Sequence, residues 1–188
     1  MMKNPIMTMV LNNDQKIIIE LYPQYAPNTV NSIIDLAKRQ LLNHRKIQRI
    51  AYDFVLQITY NAFNHDPECE YLIEGEFTNN HHYNPIAFTK GIVGMGGDGQ
   101  RLSAGCDFFI VISEHVQHRL NDKFTAFGKV IEGYEYIEQI IKVPTRKIIL
   151  DDTPDVDINE PLDDIIIKEV NVETYGIDYP KPVKLTLE

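Results

Sequence analysis

The residues in this chain best suited to cofactor-free chemistry are an arginine and a glutamine set into apolar strands. The stretch from Ile47 to Thr59 reads as one strand, a short Ala51-Tyr52-Asp53 break and a second strand rich in β-favouring residues. In the second strand Phe54, Leu56 and Ile58 fall on one face, and Val55, Gln57 and Thr59 on the other. Arg49 and Gln57 stand where a sheet core normally takes valine or isoleucine, so both ask for polar partners. Arg49 on its own reads as a cation that snorkels to water or pairs with a carboxylate. A second use is open to it, because a guanidinium is always charged and presents its donors in a rigid fork.

Other patterns that suggest chemistry do not complete. The run from Gly94 to Gly99 matches G-x-G-x-x-G, but a dinucleotide fingerprint must open a helix, and here loop leads into another strand. His115 and His118 have metal-ligand spacing only on a helix, and no third ligand accompanies them. The segment from Asp155 starts like a calcium loop. It then places Glu160 where glycine is required and Ile166 where the bidentate glutamate belongs. No Ser/His/Asp or Cys/His set declares itself. An enzyme built on this chain is expected to use no nucleophile, no metal and no cofactor.

Composition narrows the classes further. The 188 residues, 44% of them hydrophobic, suit one domain over 1–188 with a substantial core. A net charge of −9 offers no basic stripe for counterion release, so nucleic acid is not an expected partner. Cys69 and Cys106 lie far apart in sequence, with no Cys-x-x-Cys spacing, so a disulfide framework is not expected and a reducing compartment is. No apolar run reaches membrane-spanning length and no signal-peptide core is visible, so the expected location is cytoplasmic, with no membrane partner.

The elements that must hold Arg49 and Gln57 follow from periodicity. Met7–Leu11 and Lys16–Leu21 flank an Asn-Asn-Asp turn as an opening hairpin. From Asn28, a candidate N-cap, to about Leu42, apolar residues keep one helical face. Residues 60–84 read as a polar loop carrying His65, Cys69, His81 and His82, with one short strand near Tyr71–Phe77. Ile86–Met95, Cys106–Ser113, Thr125–Ile131 and Ile165–Val172 read as strands, and Gly133–Val143 as a second helix. Asp151–Asp164 reads as an acidic loop, and Thr174–Glu188 as an extended tail on the surface. The sum is a mainly β chain with two helices, in the form of a closed barrel.

In that order the pieces resemble the cyclophilin family of peptidyl-prolyl cis-trans isomerases, in its bacterial cytoplasmic form. The blocks that carry the resemblance are Tyr22–Val30, Arg49 with Phe54–Gln57, Gly75–Phe77 and Lys90–Met95. Ser103–Ile110, Phe127–Gly133 and Val172–Pro180 continue it, so it spans nearly the whole chain. It implies a closed antiparallel eight-stranded barrel capped by two α-helices. It also implies catalysis without a nucleophile, since X-Pro isomerisation requires only that the twisted amide be favoured over both ground states. Arg49 is then the catalytic cation, Phe54, Val55, Phe109 and Leu120 wall a proline pocket, and Gln57 positions Arg49 or the substrate backbone. The implied partners are proline-containing peptides and unfolded proteins.

The sequence departs from the family pattern at substrate-contacting positions. Asp107 replaces a glutamine, Gly96 and Gly97 replace Ala-Asn, Arg119 replaces an aromatic residue and Phe124 replaces a histidine. Arg119 implies weak cyclosporin binding. Two readings stay open: an active isomerase with altered preference, and a peptide-binding module on the same barrel with little or no turnover.

Overall fold

The computed structural model describes residues 3–59 and 66–186. The opening hairpin forms as expected, with β1 at Ile6–Leu11 and β2 at Lys16–Leu21. Alternate residues of both strands, among them Met7, Met9, Ile17 and Ile19, enter the main core. Helix α1 covers Pro27–Lys38 and buries Val30, Ile33, Ile34 and Ala37.

Both ends of α1 differ from the sequence expectation. Asn28 is not the N-cap: Ala26 holds that place and Pro27 opens the first turn. The amides of Asn28 and Thr29 instead donate to the two carboxylate oxygens of Glu76, each at 2.8 Å. A buried side chain nearly fifty positions away thus closes the helix N-terminus. At the other end Gln40 adopts φ 59°, and the Gln40 and Leu41 amides donate back to the Ala37 and Leu36 carbonyls. This left-handed termination ends the helix before Leu42 although the apolar period continues.

The strands that follow are β3 (Arg49–Ala51), β4 (Val55–Gln57), β5 (Leu72–Glu74), β6 (Ile92–Gly97), β7 (Leu102–Val111) and β8 (Thr125–Glu132). A one-turn helix α2 (Gln117–Leu120) lies between β7 and β8, and α3 (Tyr134–Ile140) follows β8 and packs on β2. Three strands close the series, β9 (Thr145–Ile148), β10 (Ile158–Pro161) and β11 (Ile167–Glu173). A 3-10 turn at Thr78–Asn80 is the remaining helical element among the described residues. Ile86–Gly91, expected as the start of a strand, is irregular.

All strand pairs are antiparallel and belong to one 11-stranded sheet, ordered β11-β1-β2-β8-β6-β7-β4-β3-β10-β9, with β5 beside the first half of β7. The expected closed eight-stranded barrel with two helices is therefore not what forms. The physical reason lies in residues 145–161, of which 151–161 are expected from sequence as part of an acidic loop and 145–150 carry no expected element. They make the β9–β10 hairpin, and Asn159 of β10 pairs with Ile50 of β3. The outer edge of β3 is thereby taken, and the strand path runs on instead of returning to β11. A single bridge, Lys46 with Ile166, laces the chain just before β3 to the chain just before β11.

Beyond β11 the tail has no regular element, but it is fastened. Asn28 and Val183 exchange two hydrogen bonds, and the Leu185 amide donates to the Leu72 carbonyl. No helix among the described residues is long and apolar enough to cross a membrane.

Candidate active site

The strand register assembles the site. Arg49 lies opposite Gln57 across β3 and β4, Gln57 opposite Phe109 across β4 and β7, and Phe109 opposite Gly94 across β7 and β6. These residues form one lateral row on the same face of the sheet. Their neighbours Leu56, Phe108 and Ile110 point the other way, into the main core. The period-two reading of β4 thus holds for Val55, Leu56 and Gln57. Phe54 departs from it, because it sits in the turn after Asp53 (φ 54°) and swings to the side of Val55.

Beneath the row lies a second, smaller apolar cluster that includes Val55, Phe88, Phe109, Val116 and Leu120. Phe109 is its centre. It stacks on Phe88 with ring centroids 5.8 Å apart and meets Phe124 edge-to-face at 6.2 Å. Gly94 makes this possible, since a Cβ there would lie 2.5 Å from the Phe109 ring and 2.6 Å from the Phe88 ring.

Above this cluster is a cavity of about 420 Å³. Phe54, Val55, Phe109, Leu120 and Phe124 give it apolar walls, and Gly96 and Gly97 leave backbone at its margin. Arg49, Gln57 and Asp107 supply its polar groups. Arg119 is placed differently from these ten. It is exposed, and its guanidinium stacks 3.7 Å from the centroid of Phe54 at the rim. Val156 and Ala104 also line the cavity and were not singled out from sequence. Val156 lies in the acidic segment before β10, and nothing in its local pattern marks it.

The Arg49 guanidinium is anchored from two sides. Nη1 donates to Gln57 Oε1 at 2.7 Å, and Nε donates to the Asp157 carbonyl at 3.0 Å. Gln57 is itself buried, so its side-chain amide has little freedom to leave that geometry. The segment around Asp157 is held in turn, because Asn159 Nδ2 donates to the Ile50 carbonyl at 2.9 Å.

The glycine margin is fixed by the turn between β6 and β7. Asp98 Oδ1 accepts from the amides of Gln100, Arg101 and Leu102 at 2.8–2.9 Å. Burial acts to raise the Asp98 pKa, but the backbone donors together outweigh it and hold the carboxyl below its ordinary value. The Leu102 carbonyl lies so close to Gly97 that an added Cβ would sit 2.2 Å from it. Gly97 is therefore required by strand packing, whatever it does for a ligand.

The remaining sequence candidates are dispersed. His118 is exposed on α2, and no group of three metal-ligating side chains occurs among the described residues. Gly94–Gly97 belongs to β6 and opens no helix. His82 Nε2 donates to the Tyr25 carbonyl at 2.8 Å, and His65 lies outside the described residues. Cys69 and Cys106, distant in sequence, are both buried free thiols.

Comparison with known proteins agrees with the geometry. The family model described as cyclophilin type peptidyl-prolyl cis-trans isomerase matches residues 6–172. A peptidyl-prolyl cis-trans isomerase-like 3 protein of Dictyostelium discoideum is 34% identical over 89 residues, 47% of each chain. That match therefore spans about half the length of the relative. A peptidyl-prolyl cis-trans isomerase-like 1 protein of Homo sapiens is 29% identical over 135 residues, 69% of this chain and 76% of that one. The crystal structure of a Cryptosporidium parvum cyclophilin type isomerase superposes with a TM-score of 0.72 at 20% identity, covering 90% of this chain and 97% of the other. The same protein was also solved in the presence of the dipeptide Ala-Pro. With a family model spanning most of its length and this fold, the chain belongs to the cyclophilin-type peptidyl-prolyl cis-trans isomerase family.

Proposed function

We propose that this chain catalyses cis-trans isomerisation of X-Pro bonds in peptides and unfolded proteins, with Arg49 as the catalytic residue. The observation that carries the reading is a guanidinium fixed by Gln57 and the Asp157 carbonyl at the edge of an apolar cavity. The uncatalysed barrier, on the order of 18–20 kcal/mol, comes from amide resonance. Phe109, Leu120, Phe124 and Val55 hold the proline ring while the acyl side rotates. A charged donor at the prolyl nitrogen or carbonyl then stabilises the deconjugated amide more than either planar form. No covalent intermediate forms. Because the donor is already held before the substrate arrives, little reorganisation is charged to the reaction. The two free thiols suit a reducing cytoplasm as the place of action.

A second reading, a peptide-binding module with little turnover, is favoured by one feature. Asp107 brings a carboxylate into the cavity, where it competes with the substrate for a cation. NMR exchange on an Ala-Pro peptide, wild type beside Arg49→Ala, separates the two. Acceleration that is lost in a folded Arg49→Ala variant supports the isomerase. Shifted peptide resonances with no acceleration by the wild type establish the binding module. Cyclosporin is expected to bind weakly in either case, since Arg119 stacked on Phe54 presents a charge at the rim. Tight binding would overturn that assignment.

A further inference from the structure

The β9–β10 hairpin is tied to β3 and its turn by side chains as well as by backbone pairing. Gln48 Nε2 donates to Glu160 Oε1 at 3.1 Å, and Glu160 Oε2 in turn accepts from Arg146 Nε of β9 at 2.7 Å. The Tyr52 and Thr145 hydroxyls share a hydrogen bond of 3.0 Å. These ties matter because burial does little for the chain that approaches the site. Residues 151–155 and Asp157 are exposed and Val156 is half-buried; full burial begins only at Ile158.

Asn159 is where the ties reach the cation. It is the residue of β10 in register with Ile50 of β3. Its Nδ2 donates to the Ile50 carbonyl at 2.9 Å and to Asp157 Oδ2 at 3.2 Å. Ile50 directly follows Arg49, and the Asp157 carbonyl is the acceptor of Arg49 Nε at 3.0 Å. One side-chain amide therefore grips both chain segments that the Nε contact joins.

A guanidinium held only through Nη1 and Gln57 can swing about that contact. A second hold at Nε fixes the plane of the rigid fork. We propose that Asn159 is a positioning residue for Arg49: it sets the Asp157 carbonyl, and through it the direction in which the guanidinium faces the prolyl amide. Asn159 does not itself line the cavity, so it acts through Arg49 and not on the substrate. This role rests on the isomerase reading of Arg49.

The role has a definite kinetic signature. The apolar walls bind the proline ring in planar and twisted forms alike, whereas the aimed cation favours the twisted form. Loss of aim therefore lowers kcat and leaves KM nearly in place.

The test joins a direct readout of the Nε contact to the rate. In nitrogen-15-labelled full chain, the Arg49 Nε–Hε resonance is identified by its absence from Arg49→Lys. Asn159→Ala is expected to speed exchange of that proton with water about tenfold. NMR exchange on an Ala-Pro peptide should show kcat about fivefold lower, with KM changed by less than about twofold. Asn159→Ser, which keeps a donor, should restore part of both. In an Arg49→Lys background, Asn159→Ala should cost no further activity.

Unchanged Hε exchange in a folded Asn159→Ala variant would overturn the proposal. So would a raised KM at constant kcat, an equal loss of rate in the Arg49→Lys background, or failure of both Asn159 variants to fold. A wild type that binds the peptide without accelerating its isomerisation would sink the isomerase reading instead. Hε exchange would still decide whether Asn159 holds the guanidinium.

Discussion

Arg49 and Gln57 face each other directly across β3 and β4, joined by a 2.7 Å hydrogen bond from guanidinium to side-chain amide. In the proposed isomerase reading Gln57 positions the cation through this contact. Gln57→Ala is expected to lower kcat/KM about tenfold, equivalent to about 1.4 kcal/mol, mostly in kcat. NMR exchange over a range of peptide concentrations measures the split. A purely structural Gln57 would lower the melting temperature and leave kcat in place.

Asp107 lines the same cavity as Arg49. Asp107→Asn keeps the size of the side chain and removes its charge. Isomerisation of Ala-Pro peptides is expected to speed up several-fold, because substrate no longer competes with a carboxylate. A slower variant would mean that Asp107 helps hold the guanidinium.

Glu76 spends both carboxylate oxygens on the first turn of α1. Glu76→Ala leaves two amides without that acceptor and is expected to cost about 2–3 kcal/mol in urea unfolding. Glu76→Gln retains one acceptor oxygen and should cost less. Equal losses would show that the retained neutral acceptor adds nothing and that the carboxylate itself carries the effect.

Asp98 has a lowered pKa in the folded chain, so its contribution to stability has a definite pH window. The contribution is present above the ordinary carboxylate value of 3.8 and fades as pH falls through the lower folded value. Melting curves of wild type and Asp98→Asn should differ near neutral pH and converge in acid. A constant gap would remove ionisation from the explanation.

Gly94→Ala drives a methyl between Phe88 and Phe109. Overpacking of this kind is expected to cost about 1–3 kcal/mol and to displace the Phe109 ring, seen as shifted aromatic resonances. Peptide affinity should fall with it.

How much of this was legible in the sequence depended on how local each cause is. That Arg49 and Gln57 stand in two strands joined by a short break follows from local pattern, whereas their partnership entered only through the family resemblance. Phe54 was misplaced because Asp53 takes a left-handed turn that resets the alternation. The end of α1 was overrun because Leu41 keeps the helical period while Gln40 turns left-handed. Asn28 looked like a cap because the true acceptor, Glu76, comes from elsewhere in the fold. The β9–β10 hairpin was missed since Thr145–Ile148 is short and basic at its centre, and Pro161 ends its partner. Val156 and the Asp157 carbonyl reach the site only because that hairpin docks on β3, a contact no local pattern announces.

The strand at Ile6–Leu11 pairs on one edge with β2 and on the other with Ile167–Glu173. During synthesis its first partner arrives within a few residues, its second only when almost all of the described chain has been made. Until then β1 presents an open edge, the feature most prone to pairing with a neighbouring chain. Completion of the sheet is therefore a late, long-range event, slow by the measure that relates folding speed to sequence separation. A chain of this family must itself remain incompletely paired until Ile167–Glu173 emerges.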